Sequence, residues 1–463
     1  MSHNVVISIG QCGNQIGSEF WDRVVHSHAL LDTDGTFTSA LATFFRNTDG
    51  RHDSSLPIGS RLKHLQANAV LIDMETRVVD RLLRGPLGDL FDKRMTLTDS
   101  CGSGNNWSTG HLTYGLQHED TISEMLRRSA EPLDQLQSFS VLHSMGGGTG
   151  SGLGTAVVKM MARDYGKTAR LVSCVFPGDQ DDVVTSPYNS VLALKVLAED
   201  ADSVISLDNN ALSTVCSKHV LAGRPLRKSP PVPFDQMNDL VARMLADLTS
   251  SIRFGGELSI PLSELPVRMS PFPRMKFLIP GLSPVTGALP NMESKKIDRT
   301  FYEAFERRNQ LMDCDPQRSA YLACLLLARG KDIAPSDVQR NVDKMKRYIH
   351  FAPGSKDEWA VSLCGIPSQS HPRSFLTLAN NGCFHKPMQC LKERFVAMYR
   401  GRAHLHHYLL NGMEAADFEA SLESLSALIS DYRQVDAAGA VAANVRDRGY
   451  VAVGVVKPKV KAG

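Results

Sequence analysis

Residues 146–152 read Gly-Gly-Gly-Thr-Gly-Ser-Gly, between an apolar stretch, Phe139–His143, and a helical one, Leu153–Ala162. Glycines there remove the Cβ atoms that keep a backbone away from a ligand. A strand, a glycine turn and a helix N-terminus in that order aim free backbone N–H groups and a positive dipole end at an anion. The chemistry these residues suit is phosphate binding. A flexible linker is the plain alternative, and the strand and helix on either side oppose it.

Two familiar phosphate motifs do not fit. Ser151, Leu153 and Thr155 occupy the positions where the dinucleotide fingerprint needs its third glycine, so a nicotinamide-dependent dehydrogenase is disfavoured. The run has no lysine for a P-loop, and Met161 stands where the first glycine before Gly166-Lys167-Thr168 should be.

Other polar turns share the same placement. Val5–Ile9 runs into Gly10-Gln-Cys-Gly-Asn-Gln-Ile-Gly17, and strand 68–73 ends in Asp73-Met-Glu75, carboxylates suited to a magnesium ion that bridges phosphates. Gly102-Ser-Gly-Asn-Asn106 is a third such turn, strand 169–175 leads to Asp181–Tyr188, and strand 203–207 leads to Asp208-Asn-Asn210. In an open α/β sheet, ligands bind at the carboxyl ends of strands. The series therefore predicts one composite nucleotide pocket.

Gly10-Gln-Cys-Gly-Asn-Gln15, Gly104-Asn-Asn-Trp107, the glycine run, Ser186-Pro-Tyr-Asn189 and Pro271-Phe-Pro-Arg274 together resemble the tubulin superfamily, from about Asn4 to about Val435. Phe44–Asn47, His143-Ser-Met145 and Asp181–Asn189 are most similar to the epsilon branch, with the delta branch second. The strongly acidic ends of alpha and beta forms are missing: the last glutamate is Glu423.

The resemblance implies an α/β fold: a Rossmann-like, mostly parallel nucleotide-binding sheet, a long central helix, a smaller mixed α/β domain and a C-terminal helical hairpin. It places a GTP-binding domain at 1–233, the central helix at 234–256, an intermediate domain at 257–388 and C-terminal helices at 389–436; residues 437–463, small and apolar in alternation and outside the resemblance, read as a disordered tail. It implies GTP or GDP and Mg2+ as cofactors. Gln11, Cys12 and Gln15 would lie near the nucleotide, with Asn105 approaching from the third turn. Ser144, Gly147, Gly148, Thr149 and Gly150 would cradle the phosphates, and Asp182 would lie near the ribose. Asn209 and Asn238 resemble the asparagines that read guanine, since side-chain amides both donate and accept. Phe234 would stack on the base where many tubulins carry a tyrosine. Glu75, with Asp73 beside it, would sit on the magnesium side. Ser186 replaces a ribose-facing glutamate of beta-tubulin.

Apolar Met237, Leu240, Val241, Met244, Leu245 and Leu248 recur at helical spacing and predict one buried stripe on the central helix. In the loop that follows, Glu264 resembles alpha-tubulin's catalytic glutamate, which positions water on the γ-phosphate of the next subunit. Pro261 and Ser259 replace an aspartate and an asparagine of that loop. Without the resemblance, Glu264 reads as a solvated loop carboxylate. Hydrolysis is thus expected only across a subunit contact. The competing reading is a non-polymerising module that keeps GTP as a structural cofactor.

Bulk properties set bounds. Lys plus Arg number 51 against 49 Asp plus Glu, so no field favours nucleic acid. Nine scattered cysteines, with no Cys-x-x-Cys, read as free thiols in a reducing compartment. No run approaches the roughly 18 apolar residues of a membrane span, and the start lacks the charged and apolar regions of a signal peptide. His404, His406 and His407 invite a metal reading, but no carboxylate or cysteine completes a set nearby. Pro284–Pro290 aligns with a lateral-contact loop. The lysine-bearing end, Lys457–Lys461, suits acidic tails on a neighbouring lattice. The resemblance implies other tubulin subunits as partners (self, delta, or alpha/beta), along with centriole or basal-body proteins. The expected location is the cytoplasmic cytoskeleton, at the centrosome, centriole or flagellar basal body.

Overall fold

The computed structural model describes residues 2–49, 55–178, 181–220, 233–256, 258–285, 296–353 and 359–453. Most of the expected lateral loop, and the Lys457–Lys461 end, lie outside them.

The strands are β1 (His3–Ile9), β2 (Phe45–Thr48), β3 (His64–Ala67), β4 (Ala69–Asp73), β5 (Thr96–Thr98), β6 (Leu136–Ser144), β7 (Ala169–Phe176), β8 (Ser203–Asp208), β9 (Phe277–Ser283), β10 (Tyr321–Gly330), β11 (Trp359–Cys364) and β12 (Arg373–Asn381). The helices used below are α1 (Gly10–Ala29), α2 (Gly154–Asp164), α3 (Ser186–Asp200), α4 (Asn209–Val220), α5 (Pro233–Leu248), α6 (Ser250–Phe254), α7 (Pro335–Met345), α8 (His385–Arg400), α9 (Leu405–Leu409) and α10 (Ala415–Val453).

Ten strands form one sheet in the order β5-β4-β1-β6-β7-β8-β9-β12-β10-β11, and β2 pairs with β3 apart from it. From β5 to β9 every pairing is parallel. On the other side β12 runs antiparallel to both β9 and β10. The smaller mixed domain expected from the sequence therefore has no sheet of its own. It joins the nucleotide-binding half through a short seam, Val204 opposite Phe277 and Ile205 opposite Leu278.

Side chains on β1 alternate between the two faces, as the pleat requires. Val5, Ile7 and Ile9 enter the core under α2, α3, α8 and α10, while Val6 enters the core under α1 and α5. The stripe Met237, Leu240, Val241, Met244, Leu245 and Leu248 is buried on that second face. The helix breaks at Thr249 and resumes as α6.

The tail departs from the sequence expectation. Helix α10 continues through Val453, where the reading was disorder from 437. Alanines 437, 438, 440, 442 and 443 supply the reason, because alanine has the highest intrinsic helix propensity.

Candidate nucleotide site

β1 is flanked by β4 on one side and β6 on the other, so chain connections reverse direction there. That reversal opens a crevice at the strand carboxyl ends. The turn after β1 and the glycine run after β6 both open into it.

Gly10 adopts a left-handed φ of 72°, the conformation glycine takes without steric cost. A Cβ on it would sit 3.1 Å from the Gly150 backbone nitrogen, so the two turns touch. The Asn14 amide donates to the Gly10 carbonyl at 3.0 Å and to the Ile72 carbonyl at 3.0 Å. This ties the start of α1 to the end of β4. Gln11 and Cys12 fall in the first turn of α1, and Gln15 one turn on. Burial, then the charge of Asp181, pushes the Cys12 thiol up to about 12, so it stays protonated.

The glycine run leads into a widened π-helical turn, Thr149–Leu153, before α2 begins. Such turns leave backbone groups outside the regular ladder and occur often at functional sites. The Ser151 amide and hydroxyl both donate to the Gly147 carbonyl. The Thr149 hydroxyl lies 2.9 Å from the Ser103 hydroxyl, bringing in the third turn. A Cβ on Gly147 would meet Asn105 Oδ1 at 3.7 Å and the Ser144 hydroxyl at 3.9 Å. Asn105 is itself left-handed, with φ of 54°.

Asp73 is buried at the end of β4, and its Oδ2 has no hydrogen-bond partner among the described residues. Burial, partly offset by its bond to the Glu75 amide, pushes its pKa up to about 6. An orphaned buried carboxylate with Glu75 exposed beside it suits a bound cation. Gly102 closes on that carboxylate: a Cβ there would lie 2.6 Å from Glu75 Oε1.

Asn209 opens α4 next to the loop after β7, where a Cβ on Gly178 would meet its Cβ at 3.4 Å. Asn238 is buried in the early turns of α5, and Phe234 is about half exposed at 49 %. Asp182 is exposed. Its neighbour Asp181 turns inward instead, 2.9 Å from the Cβ position of Gly146, and burial raises its pKa against the lowering charge of Arg394. Asp181, Ser103 and Asn189 have contacts in this cluster that the sequence reading did not assign. Asn189 carried a signal, since it closes Ser186-Pro-Tyr-Asn189, but its contacts come from distant segments.

Glu264 is elsewhere. It ends the 3-10 turn Leu262–Glu264, exposed, and the Arg268 guanidinium donates to it at 2.9 and 3.1 Å. Leu262 shares a narrow apolar cavity with Leu245, Leu248 and Thr249 at the far end of α5. Asn238 and Leu248 are separated by about 15 Å of helix, and Leu262 packs beside Leu248 and beside Ser140 and Leu142 of β6. Among the described residues, no three His, Cys, Asp or Glu side chains form a metal-holding group, and no helix is long and apolar enough to cross a membrane.

Comparison with known proteins gives the family. The model of the Tubulin/FtsZ family GTPase domain matches residues 4–217, and that of the tubulin C-terminal domain matches 273–392. The tubulin epsilon chain of Mus musculus is 43% identical over 460 residues, covering 94% of this chain and 97% of that one. This chain belongs to the tubulin family. The Homo sapiens epsilon chain shows the same identity and coverage. The Mus musculus tubulin beta-1 chain is 31% identical over 440 residues, 94% of each. The α/β fold with its helical carboxyl-terminal region is accordingly a tubulin fold. The crevice at the β1 and β6 ends lies in the family's GTPase domain, which binds GTP or GDP.

Proposed function

We propose that this tubulin is an epsilon-type subunit that holds a guanine nucleotide among its glycine turns and hydrolyses GTP only where two subunits meet. The supporting observation is the exposure of Glu264, whose carboxylate is engaged by its own Arg268 and is open to solvent. The phosphate-binding turns follow β1 and β6, whereas Glu264 stands exposed in a turn beside the late residues of α5. Gln11, Cys12, Gln15, Asn105, Ser144 and the backbone at 147–150 face the phosphates, with Asp182, Asn209, Phe234 and Asn238 toward the ribose and base. Asp73 and Glu75 would hold Mg2+, which would supply neutralisation of phosphate charge. Glu264 orients water for a neighbouring subunit's nucleotide, a positioning role that needs no covalent chemistry from the protein. The assembly partners are other tubulins, and the setting is the centriole or basal body and the axoneme.

One observation favours a second reading, GTP as a structural cofactor without turnover: Glu264 is engaged by its own Arg268. The nucleotide released on denaturation, followed by GTP turnover against protein concentration for wild type and Glu264→Ala, separates the two. Bound GTP with turnover that rises steeply with concentration and is lost in Glu264→Ala supports hydrolysis at the contact. Bound GTP with flat, negligible turnover supports the second reading. Absence of any guanine nucleotide refutes both.

A further inference from the structure

Asn189, on α3, uses its whole side chain within the nucleotide loops. Its Nδ2 donates to the Asn105 carbonyl at 2.9 Å and to the Gly146 carbonyl at 2.7 Å. Its Oδ1 accepts from the Trp107 amide at 2.9 Å and from the Tyr408 hydroxyl at 2.6 Å. A side-chain amide has two N–H donors and one oxygen with two lone pairs, so every valence is filled. Three of the four partners belong to the third turn and the glycine run. The fourth comes from α9, more than two hundred residues along the chain.

We propose that Asn189 is the positioning residue that clamps these two turns at nucleotide-binding spacing, and that Tyr408 sets its amide, placing nucleotide retention under the control of α9. The inference rests on the nucleotide reading above. Tyr408 is fully buried among Tyr188 and Phe418, at ring separations of 5.5 and 5.6 Å. Donation by the Tyr408 hydroxyl requires the amide oxygen on its side, which turns Nδ2 toward Asn105 and Gly146. The Thr185 hydroxyl holds the same Asn105 carbonyl at 2.8 Å. Asn105 is the strained left-handed residue whose side chain faces Gly147. Two more bonds tie the α9 segment to this turn: Asn106 donates to the His407 carbonyl at 3.1 Å, and Asn411 to the Thr109 hydroxyl at 2.9 Å.

The test compares two buried hydroxyls. Tyr432 is also fully buried, its hydroxyl 3.2 Å from the Phe277 amide and 3.4 Å from Asn380 Oδ1, away from the nucleotide loops. In the full-length protein loaded with a fluorescent GDP, Tyr408→Phe is expected to speed release about tenfold, the effect of one buried hydrogen bond. Tyr432→Phe is expected to leave release unchanged while lowering the thermal midpoint comparably. Thr185→Val, at a half-buried site, should speed release in the same direction as Tyr408→Phe. Equal acceleration by both tyrosine variants would reduce the hydroxyl to general packing and overturn the proposal. Unchanged release in Tyr408→Phe or in Thr185→Val would overturn it as well. A wild-type chain that takes up no guanine nucleotide refutes the binding reading itself, and this inference with it.

Discussion

Arg268 donates from both Nε and Nη2 to a single oxygen of Glu264, one helical turn away, with both side chains nearly half exposed. Exposed pairs at this spacing contribute about 0–1 kcal/mol, so docking of a partner can break this one at little cost. Arg268→Ala is therefore expected to shift the thermal midpoint by no more than a degree or two (about 2 °C). At high protein concentration it should raise GTP turnover, by at most about fivefold, because it frees a weakly held carboxylate. Turnover in Arg268→Ala that fell to the Glu264→Ala level would mean that Arg268 orients the carboxylate instead of competing for it.

Asn105 carries two separable properties, its left-handed backbone and its amide. Asn105→Gly keeps the backbone and removes the amide, so stability should hold while guanine-nucleotide affinity drops about tenfold. Asn105→Ala removes the amide and leaves a Cβ in the left-handed region without the local polar side chain that lets asparagine adopt it, a loss of roughly 1–2 kcal/mol relative to Asn105→Gly. Nucleotide titration beside urea unfolding distinguishes the two variants. Equal stability for both would contradict the strain assigned to this residue.

The strand ends and their glycine turns were legible because each is a local pattern, an apolar run followed by residues without Cβ atoms. The buried stripe of α5 was legible for the same reason. What escaped depends on contacts between distant segments. Nothing in Asp181-Asp182 indicates which carboxylate turns toward Gly146, since that depends on one residue of loop register. The role of Asn189 needs partners from residues 105, 107, 146 and 408. Continuity of the ten-stranded sheet hangs on the seam at Val204 and Ile205, too short to leave a pattern. In the tail, basic and small residues suggested disorder, while the alanines among them set the helix.

Asp247 illustrates a buried charge cluster that no motif announces. Its carboxylate pairs with Arg329 at 2.9 Å, both side chains 3% exposed. Arg253 lies beside them with its guanidinium over the Phe254 ring at 4.6 Å. Burial and then the charge of Arg329 hold Arg253 down to about 9. Three buried guanidiniums, those of Arg329, Arg253 and Arg243, thus face one carboxylate. Asp247→Asn keeps the shape but removes the charge, and a loss of about 3–5 kcal/mol is expected. A urea midpoint within error of wild type would show that the arginines are compensated by other groups.

Three buried histidines, His28, His143 and His371, and the half-buried His111 make stability depend on pH below neutrality. Burial, then the charges of Arg253 and Arg329, lowers His28 to about 3. Burial, then Arg243 and Arg23, lowers His371 to about 3. Burial is also the leading cause for His111 and His143, each lowered to about 4. In the unfolded chain these groups titrate near 6.5. Below that pH the unfolded state binds protons that the folded state refuses, so stability falls with acidification. The slope approaches about 1.4 kcal/mol per pH unit for each histidine between roughly pH 6 and pH 4, and stability levels off above about pH 7. His28 packs against Phe254, with ring centroids 4.8 Å apart, and neither of its ring nitrogens has a hydrogen-bond partner among the described residues. His28→Phe should therefore flatten the slope by about one proton's worth, and its stability relative to wild type should improve as pH falls from 7 to 5. Urea unfolding across that range tests this, and parallel curves for wild type and variant would show that His28 does not titrate on unfolding.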